Sequence, residues 1–240
     1  SDKRARLWRR SRVEKVVRYL ALAGEKSLRL YSVEEAHERF RRVAELVEAH
    51  PGCADKAFLA DVILAWARAH YYRKDVKGFI ALERYLSRVE ALGDMRRLSL
   101  FLFWLGFAQL FPPHADRARP LLERALALGE TLGDEECIGY ACMGLTFLHL
   151  LKPRETVREF ALRGLEIGER LGDVYLMSKC LLGLFNHESF GGRYQRAREL
   201  ALRTLDLGRR VGDPRAIAVG LGELAFVNIY EERYAEADEN

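Results

Sequence analysis

The sequence predicts an all-α protein built from repeated helical hairpins, and two repeating patterns carry this prediction. A Leu-Gly-Asp or Val-Gly-Asp triplet ends at Asp94, Asp134, Asp173 and Asp213, with intervals of 40, 39 and 40 residues. A second marker lies sixteen residues before each aspartate, at Gly78, Ala118, Val157 and Ala197. Periods of about 20 to 50 residues are typical of stacked repeat proteins, and no segment shows the alternating pattern of a strand.

The triplet marks the junction between two helices. Glycine lacks a Cβ atom, so it readily adopts the left-handed conformation that ends a helix. The aspartate that follows can accept hydrogen bonds from the free N–H groups at the start of the next helix. Pro214 directly follows Asp213 and fits the first helical position. The N–H group that proline lacks has no partner within the helix at that position.

The markers divide the chain into hairpins of two helices each. In the segment 154–170, for example, Val157, Phe160, Ala161 and Leu165 recur at the three-to-four-residue spacing of an amphipathic helix. We expect one solenoid over residues 1–240, with hairpins at about 7–50, 54–92, 95–132, 135–171 and 174–211 and an incomplete one at 214–240.

The two end hairpins depart from the pattern. The first is imperfect, with helices near 7–23 and 33–49. In the last, a helix over about 214–230 is followed by a partner that has only begun at Tyr234. Repeat arrays normally end with a polar capping element. We therefore expect the natural protein to continue beyond Asn240, and its truncated last hairpin to expose apolar surface.

Three further glycines recur in phase, at Gly129, Gly168 and Gly208. A glycine inside a helix destabilises it by about 0.5 to 1 kcal/mol relative to alanine. Glycine at the same place in three repeats predicts that a neighbouring helix approaches too closely there for a Cβ atom.

The repeats resemble tetratricopeptide repeats. The small-large-small series Ala118, Leu122 and Ala125 is similar to the signature of that family's second helix, and Trp104-Leu105-Gly106 to that of its first helix. The resemblance implies a right-handed α-α superhelix of tetratricopeptide-like (TPR-like) hairpins. The units here are five or six residues longer than the family's standard 34 residues.

Longer stretches suggest a more specific relative. The ending at 125–134 resembles the repeat variant of large bacterial signal-transduction ATPases. Segments 98–111 and 137–145 are similar to stretches of class III adenylate or guanylate cyclases linked to AAA/STAND ATPases, and 19–40 resembles the link where their solenoid begins. The resemblance implies a non-catalytic interaction scaffold, the sensory or regulatory segment of a larger cytoplasmic ATPase/nucleotide cyclase. The alternatives are the effector-binding domain of a MalT-like transcriptional activator and a free-standing adaptor.

In tetratricopeptide arrays the first helix of each hairpin lines a concave groove that binds partners. Aromatic and amide side chains suit a protein or peptide partner, or a small effector. The polar and aromatic candidates on the corresponding helices are Trp66, His70, Trp104, Gln109, Tyr140, His149, Lys179, Asn186, His187 and Asn228. The competing interpretation places the aromatic members in the hairpin core.

Composition and motifs argue against an enzyme or a membrane protein. Hydrophobic residues make up 49% and charged residues 31% of the chain, with a net charge of +4, and no apolar run reaches the roughly 20 residues of a membrane span. His187-Glu188 lacks the second histidine of a zinc-protease motif, and the G-x-G-x-x-A pattern at 220–225 lies in a predicted helix rather than after a strand. We therefore predict no catalytic residue, cofactor or metal.

The cysteines and the N-terminus carry weaker signals. Cys53, Cys137, Cys142 and Cys180 lack metal-site spacing, so reduced core thiols in a cytoplasmic protein are expected. Residues 1–18 hold eight basic and two acidic side chains, but their helical apolar spacing favours a docked, solvated helix over a nucleic-acid site. The incomplete last repeat offers a surface for oligomerisation.

Overall fold

The computed structural model describes residues 2–110, 115–148 and 155–238, with side chains over 11–110, 116–148 and 156–231. Within these ranges the regular structure is helical and no strand occurs, so the all-α prediction is confirmed. None of the described helices combines the length and the apolar character needed to cross a membrane. The chain forms two compact units, 1–118 and 119–240.

In the first unit, helices that follow one another along the chain pack together: α1 with α2, and α2 with α3. Helix α6 in turn packs against α3. The helices of this unit are α1 (Asp2–Arg29), α2 (Val33–Ala49), α3 (Lys56–Arg73), α4 (Val76–Ala81), α5 (Leu86–Glu90) and α6 (Met95–Ala108). Helix α7 (Ala115–Leu132) spans the boundary between the two units in the sequence.

The hairpin at 54–92 differs from the expected pair of helices. Its second half is divided into α4, a 3-10 turn at Leu82–Tyr85, and α5. Tyr85 lies nine residues before Asp94, a position that holds Ala125, Gly164 or Thr204 in the other repeats. Tyr85 is fully buried, and its hydroxyl donates to Glu48 Oε1 at 3.0 Å. The helix is therefore interrupted at the position where this repeat has a bulky side chain and the others have a small one.

The second unit continues with α8 (Glu135–Leu148), α9 (Glu155–Leu171), α10 (Val174–Phe190), α11 (Tyr194–Val211) and α12 (Pro214–Asp238). Each helix packs against the next, and α10 also contacts both α8 and α12. The second helices are linked by ion pairs: Glu130 to Arg163 at 2.7 Å, and Glu169 to Arg203. The helices therefore lie in consecutive pairs, with first helices beside first helices.

The predicted junctions are confirmed at all four triplets. Gly93, Gly133, Gly172 and Gly212 have φ between 64° and 71°, in the left-handed region. The carboxylates that follow accept N–H groups of the next helix, as in Asp134 from Cys137 N at 2.9 Å and Asp173 from Leu176 N at 3.0 Å. The repeating triplet thus ends one helix and begins the next.

The predicted close approach at the three in-phase glycines is also confirmed. A Cβ atom added to Gly129 would lie 3.0 Å from the backbone nitrogen of Ile138 in the next helix. The corresponding distances are 3.2 Å from Gly168 to Met177 N and 2.7 Å from Gly208 to Ile217 N. Each glycine therefore lets the first turn of the following helix pack against its own helix.

Two helix ends differ from the sequence-based expectation. Helix α1 runs to Arg29, six residues beyond the expected end, and α12 runs to Asp238 with no break before Tyr234. No glycine or proline lies between Pro214 and Asp238 except Gly220 and Gly222, so nothing near Tyr234 stops the helix. The expected apolar exposure of α12 is confirmed, because Leu221 and Ile229 are 50% and 51% exposed.

Candidate functional site

The four predicted groove residues of the first unit are buried. Trp66 donates through Nε1 to His37 Nδ1 at 3.0 Å, and its ring centroid lies 5.2 Å from that of His70. His70 Nδ1 lies 3.1 Å from Asp75 Oδ2. Because an ionised carboxylate only accepts hydrogen bonds, this ring nitrogen carries the proton. The Asp75 carboxylate also accepts from Gly78 N at 3.0 Å and so caps α4.

Electrostatics keep this histidine neutral. Burial is the main cause that lowers the pKa of His70 to about 4, and the neighbouring His37 lowers it further, while Asp75 opposes the change. At neutral pH the ring is therefore uncharged. The arrangement joins α2, α3 and the start of α4, which is a structural role.

Trp104 and Gln109 also lie inside the first unit. The Trp104 ring is surrounded by Phe103 at 4.9 Å, Phe79 at 5.9 Å and Tyr71 at 6.1 Å between centroids. Gln109 is buried, and its Oε1 accepts no hydrogen bond from the described residues. The burial of these four side chains favours the core interpretation for the first unit.

In the second unit the predicted residues are less uniformly buried. His187 is buried, Asn186 donates to the Leu182 carbonyl of its own helix at 2.8 Å, and exposed Asn228 accepts from Arg198 at 2.7 Å. His149 lies outside the described residues. Tyr140 and Lys179 are the two predicted residues that the structure joins into a shared surface.

That surface is centred on Tyr175. Its ring stacks with Tyr140 at 6.3 Å between centroids, the Lys179 ammonium lies 5.8 Å from the ring centre, and the Arg215 guanidinium lies 5.9 Å from it. These four residues come from α8, α10 and α12, and we call them the Tyr175 strip. Tyr140 is buried, whereas Tyr175, Lys179 and Arg215 are each partly exposed.

The repeat explains why these side chains meet. Tyr140 and Lys179 lie six residues after the capping aspartate, and Tyr175 and Arg215 lie two residues after it. Positions four residues apart share one helix face, and the same face of each first helix adjoins its neighbour. Tyr175 and Arg215 were not among the sequence candidates, because the position two residues after the aspartate holds unlike residues in the four repeats: Arg96, Glu136, Tyr175 and Arg215.

The aspartates at the strip are already engaged. Tyr140 donates through its hydroxyl to Asp173 Oδ2 at 3.0 Å, while the other Asp173 oxygen caps α10. Arg215 contacts Asp213 at 3.3 Å. Burial alone would raise the pKa of Asp213, but hydrogen bonds from the side chain and backbone of Arg215 lower it overall. The strip therefore places the partly exposed Tyr175 ring beside two cationic groups, a surface suited to anionic and aromatic groups of a partner.

Glu223 on α12 is a second unusual residue of this unit. It is 5% exposed, and neither carboxylate oxygen has a hydrogen-bond partner among the described residues. Burial raises the pKa of Glu223 to about 7, although Thr204 and Lys179 lower it. The Thr204 hydroxyl donates instead to the Leu200 carbonyl at 3.1 Å. The preceding repeats carry Gly144 and Gly183 at this position.

The four cysteines lie among the buried core residues. All four cysteines are free and buried, as expected for core thiols. Burial raises the pKa of Cys142 to about 12, so the thiolate needed for nucleophilic chemistry does not form at neutral pH. Over the described residues, no group of three or more His, Cys, Asp or Glu side chains is placed to hold a metal ion.

Comparison with family models and with curated proteins finds no match to this chain.

Proposed function

We propose that the chain is a non-catalytic interaction scaffold, a right-handed superhelix of TPR-like hairpins that binds a protein or peptide partner. The observation that carries this proposal is the Tyr175 strip, which extends across three successive first helices. Aromatic and arginine side chains are enriched at protein interfaces. The partly exposed Tyr175, Lys179 and Arg215 offer an aromatic ring beside two cations, which supports partner binding better than it supports catalysis.

The setting we propose is the sensory or regulatory segment of a larger cytoplasmic ATPase/nucleotide cyclase. Its support is the resemblance of the repeat endings and of the segments 19–40, 98–111 and 137–145. The larger protein would exist in an inactive and an active state. A partner on the strip would shift the equilibrium between them only as far as it binds one state more tightly than the other.

The test is affinity capture from an extract of the source organism, with the immobilised chain and two charge-reversal variants. Lys179→Glu with Arg215→Glu alters the strip, and Arg196→Glu with Arg209→Glu makes the same charge change on exposed positions of α11. We expect the wild-type chain and the α11 variant to retain the same partner and the strip variant to lose it.

Equal retention by all three proteins, with unchanged thermal melting, would show that the strip is not the binding surface. A turnover assay with ATP and GTP addresses the non-catalytic part of the proposal. We expect no hydrolysis above that of a heat-denatured sample, and a robust rate would contradict it.

A further inference from the structure

The first unit contains a small apolar cavity next to the broken hairpin. Its volume is about 290 Å³, close to the lower end of the about 300 to 1,000 Å³ of small-molecule sites. One wall is the start of α3 and the other is α5. The lining residues are Lys56, Leu59, Ala60, Ile63, Ser87, Arg88, Val89 and Ala91.

The repeat that holds the cavity departs from the others at two positions, one of which, Val89, lines the cavity. Tyr85 stands where the other repeats have a small residue, and the helix is interrupted there by a 3-10 turn. Val89 stands where the other repeats have the close-packing glycines Gly129, Gly168 and Gly208. Both larger side chains are buried, and a 3-10 stretch within a helix often marks a functional hinge or a sequence under strain.

The walls and the rim of the cavity differ in chemistry. Leu59, Ala60, Ile63 and Val89 are buried and apolar. The two charged lining residues are both basic, and both are exposed: Lys56 in the first turn of α3, and Arg88. Dry apolar walls select a hydrophobic body, and two cations at the opening select an anionic group.

These two cations are available to a ligand. Lys56 forms no ion pair or hydrogen bond with the described residues. Arg88 lies 3.8 Å from Glu48 and 5.5 Å from the centre of the Tyr85 ring. An exposed ion pair of this length contributes little, so a carboxylate at the rim can compete for the guanidinium.

We propose that this cavity binds a compact apolar carboxylate, with its hydrocarbon body against Ile63 and Val89 and its carboxylate between Lys56 and Arg88. The Asp55 carboxylate already caps the start of α3 by accepting from Phe58 N at 2.7 Å, so the preference for an anion rests on Lys56 and Arg88. The proposal is independent of the Tyr175 strip, which lies in the other unit, and it adds a small ligand to the proposed protein-binding role.

The test measures binding of two probes of equal shape to the full chain by titration calorimetry. The probes are 4-phenylbutyrate and its neutral amide, 4-phenylbutanamide. We expect both to bind, with the carboxylate at least about tenfold tighter, since two cationic groups each strengthen a charged contact.

Two variants locate the site. Lys56→Gln with Arg88→Gln is expected to reduce the affinity for the carboxylate to that for the amide, while leaving the amide affinity unchanged. Arg68→Gln with Lys77→Gln removes the same charge from exposed positions of the same unit and is expected to change neither. Ala60→Phe, which places a ring in the cavity, should abolish binding of both probes.

The inference is overturned if neither probe binds at millimolar concentration. It is also overturned if the Lys56/Arg88 and Arg68/Lys77 variants weaken carboxylate binding equally. Because Lys56 and Arg88 are exposed, their variant is expected to keep the wild-type melting temperature. The result therefore stands even if Ala60→Phe does not fold.

Discussion

Glu223 shows how one side chain can make stability depend on pH. Its pKa is about 7 in the folded chain and about 4.3 in an unfolded one. Between these values the unfolded chain has released the proton while the folded chain retains it. The free energy of unfolding therefore falls as the pH rises through this window and levels off above pH 7.

We expect Glu223→Gln to remove this slope, because the amide stays neutral. The variant should be more stable than the wild type at pH 8 by about 1 to 3 kcal/mol, and the difference should vanish near pH 4. Urea denaturation at a series of pH values measures it. Glu199→Gln, at an exposed position of α11, is the control, and parallel pH curves for Glu223→Gln and the wild type would contradict the prediction.

At the scale of the helix, the close packing at Gly208 predicts that replacing glycine with alanine lowers stability there and raises it at Gly222. Alanine favours a helix over glycine by up to about 1 kcal/mol. At Gly208, however, the new Cβ atom would lie 2.7 Å from Ile217 N, so Gly208→Ala should destabilise the chain by about 1 to 3 kcal/mol.

Gly222→Ala is the matched control. Gly222 is exposed on α12 and has no atom within 4 Å of its added Cβ, so alanine there should raise stability by about 0.5 to 1 kcal/mol. Urea denaturation of the two variants measures the sign of each change in the free energy of unfolding. A stabilising Gly208→Ala would show that the two helices are not held this closely.

The elements also show which features a sequence can predict. The capping triplets and the in-phase glycines were predictable from residue type alone. Glycine permits a left-handed backbone or a close helix contact, and aspartate caps the start of a helix. The interruption at Leu82–Tyr85 and the extension of α12 to Asp238 were not predictable in this way. The interruption coincides with Tyr85, which contacts Glu48 of α2, and the extension of α12 follows from the lack of a residue that ends the helix. Helical periodicity reports neither feature.

The same distinction applies to the candidate site. Tyr140 and Lys179 could be predicted because each is an aromatic or polar residue on the first helix of a hairpin. Tyr175 and Arg215 were missed because their significance is a contact between three helices. Burial of Trp66 and Trp104 could not be decided from sequence, since each helix could be oriented only to within a neighbouring position.

For the molecule as a whole, the open face of α12 predicts self-association. Ala218, Leu221, Ala225 and Ile229 recur at helical spacing on α12 and are exposed. An unpaired apolar stripe of this kind favours association in water. We expect sedimentation velocity to show a larger species as the protein concentration rises.

Leu221→Gln with Ile229→Gln should keep the chain monomeric at the same concentrations, with little change in melting temperature because both side chains are half exposed. Leu202→Gln, which removes a 50% exposed leucine from α11, should leave the association intact. Association that persists unchanged in the Leu221/Ile229 variant would place the contact elsewhere.

The junction built from a left-handed glycine and a capping aspartate has a consequence for how such a chain can change in length. Each junction satisfies the end of one helix and the start of the next with residues that belong to the junction itself, as at Gly172 and Asp173. Duplication or loss of a whole unit of 39 or 40 residues leaves every junction with its own donors and acceptors. The units of 39 and 40 residues keep the same junctions, so smaller changes in length should be tolerated within a unit and not at the glycine and aspartate themselves.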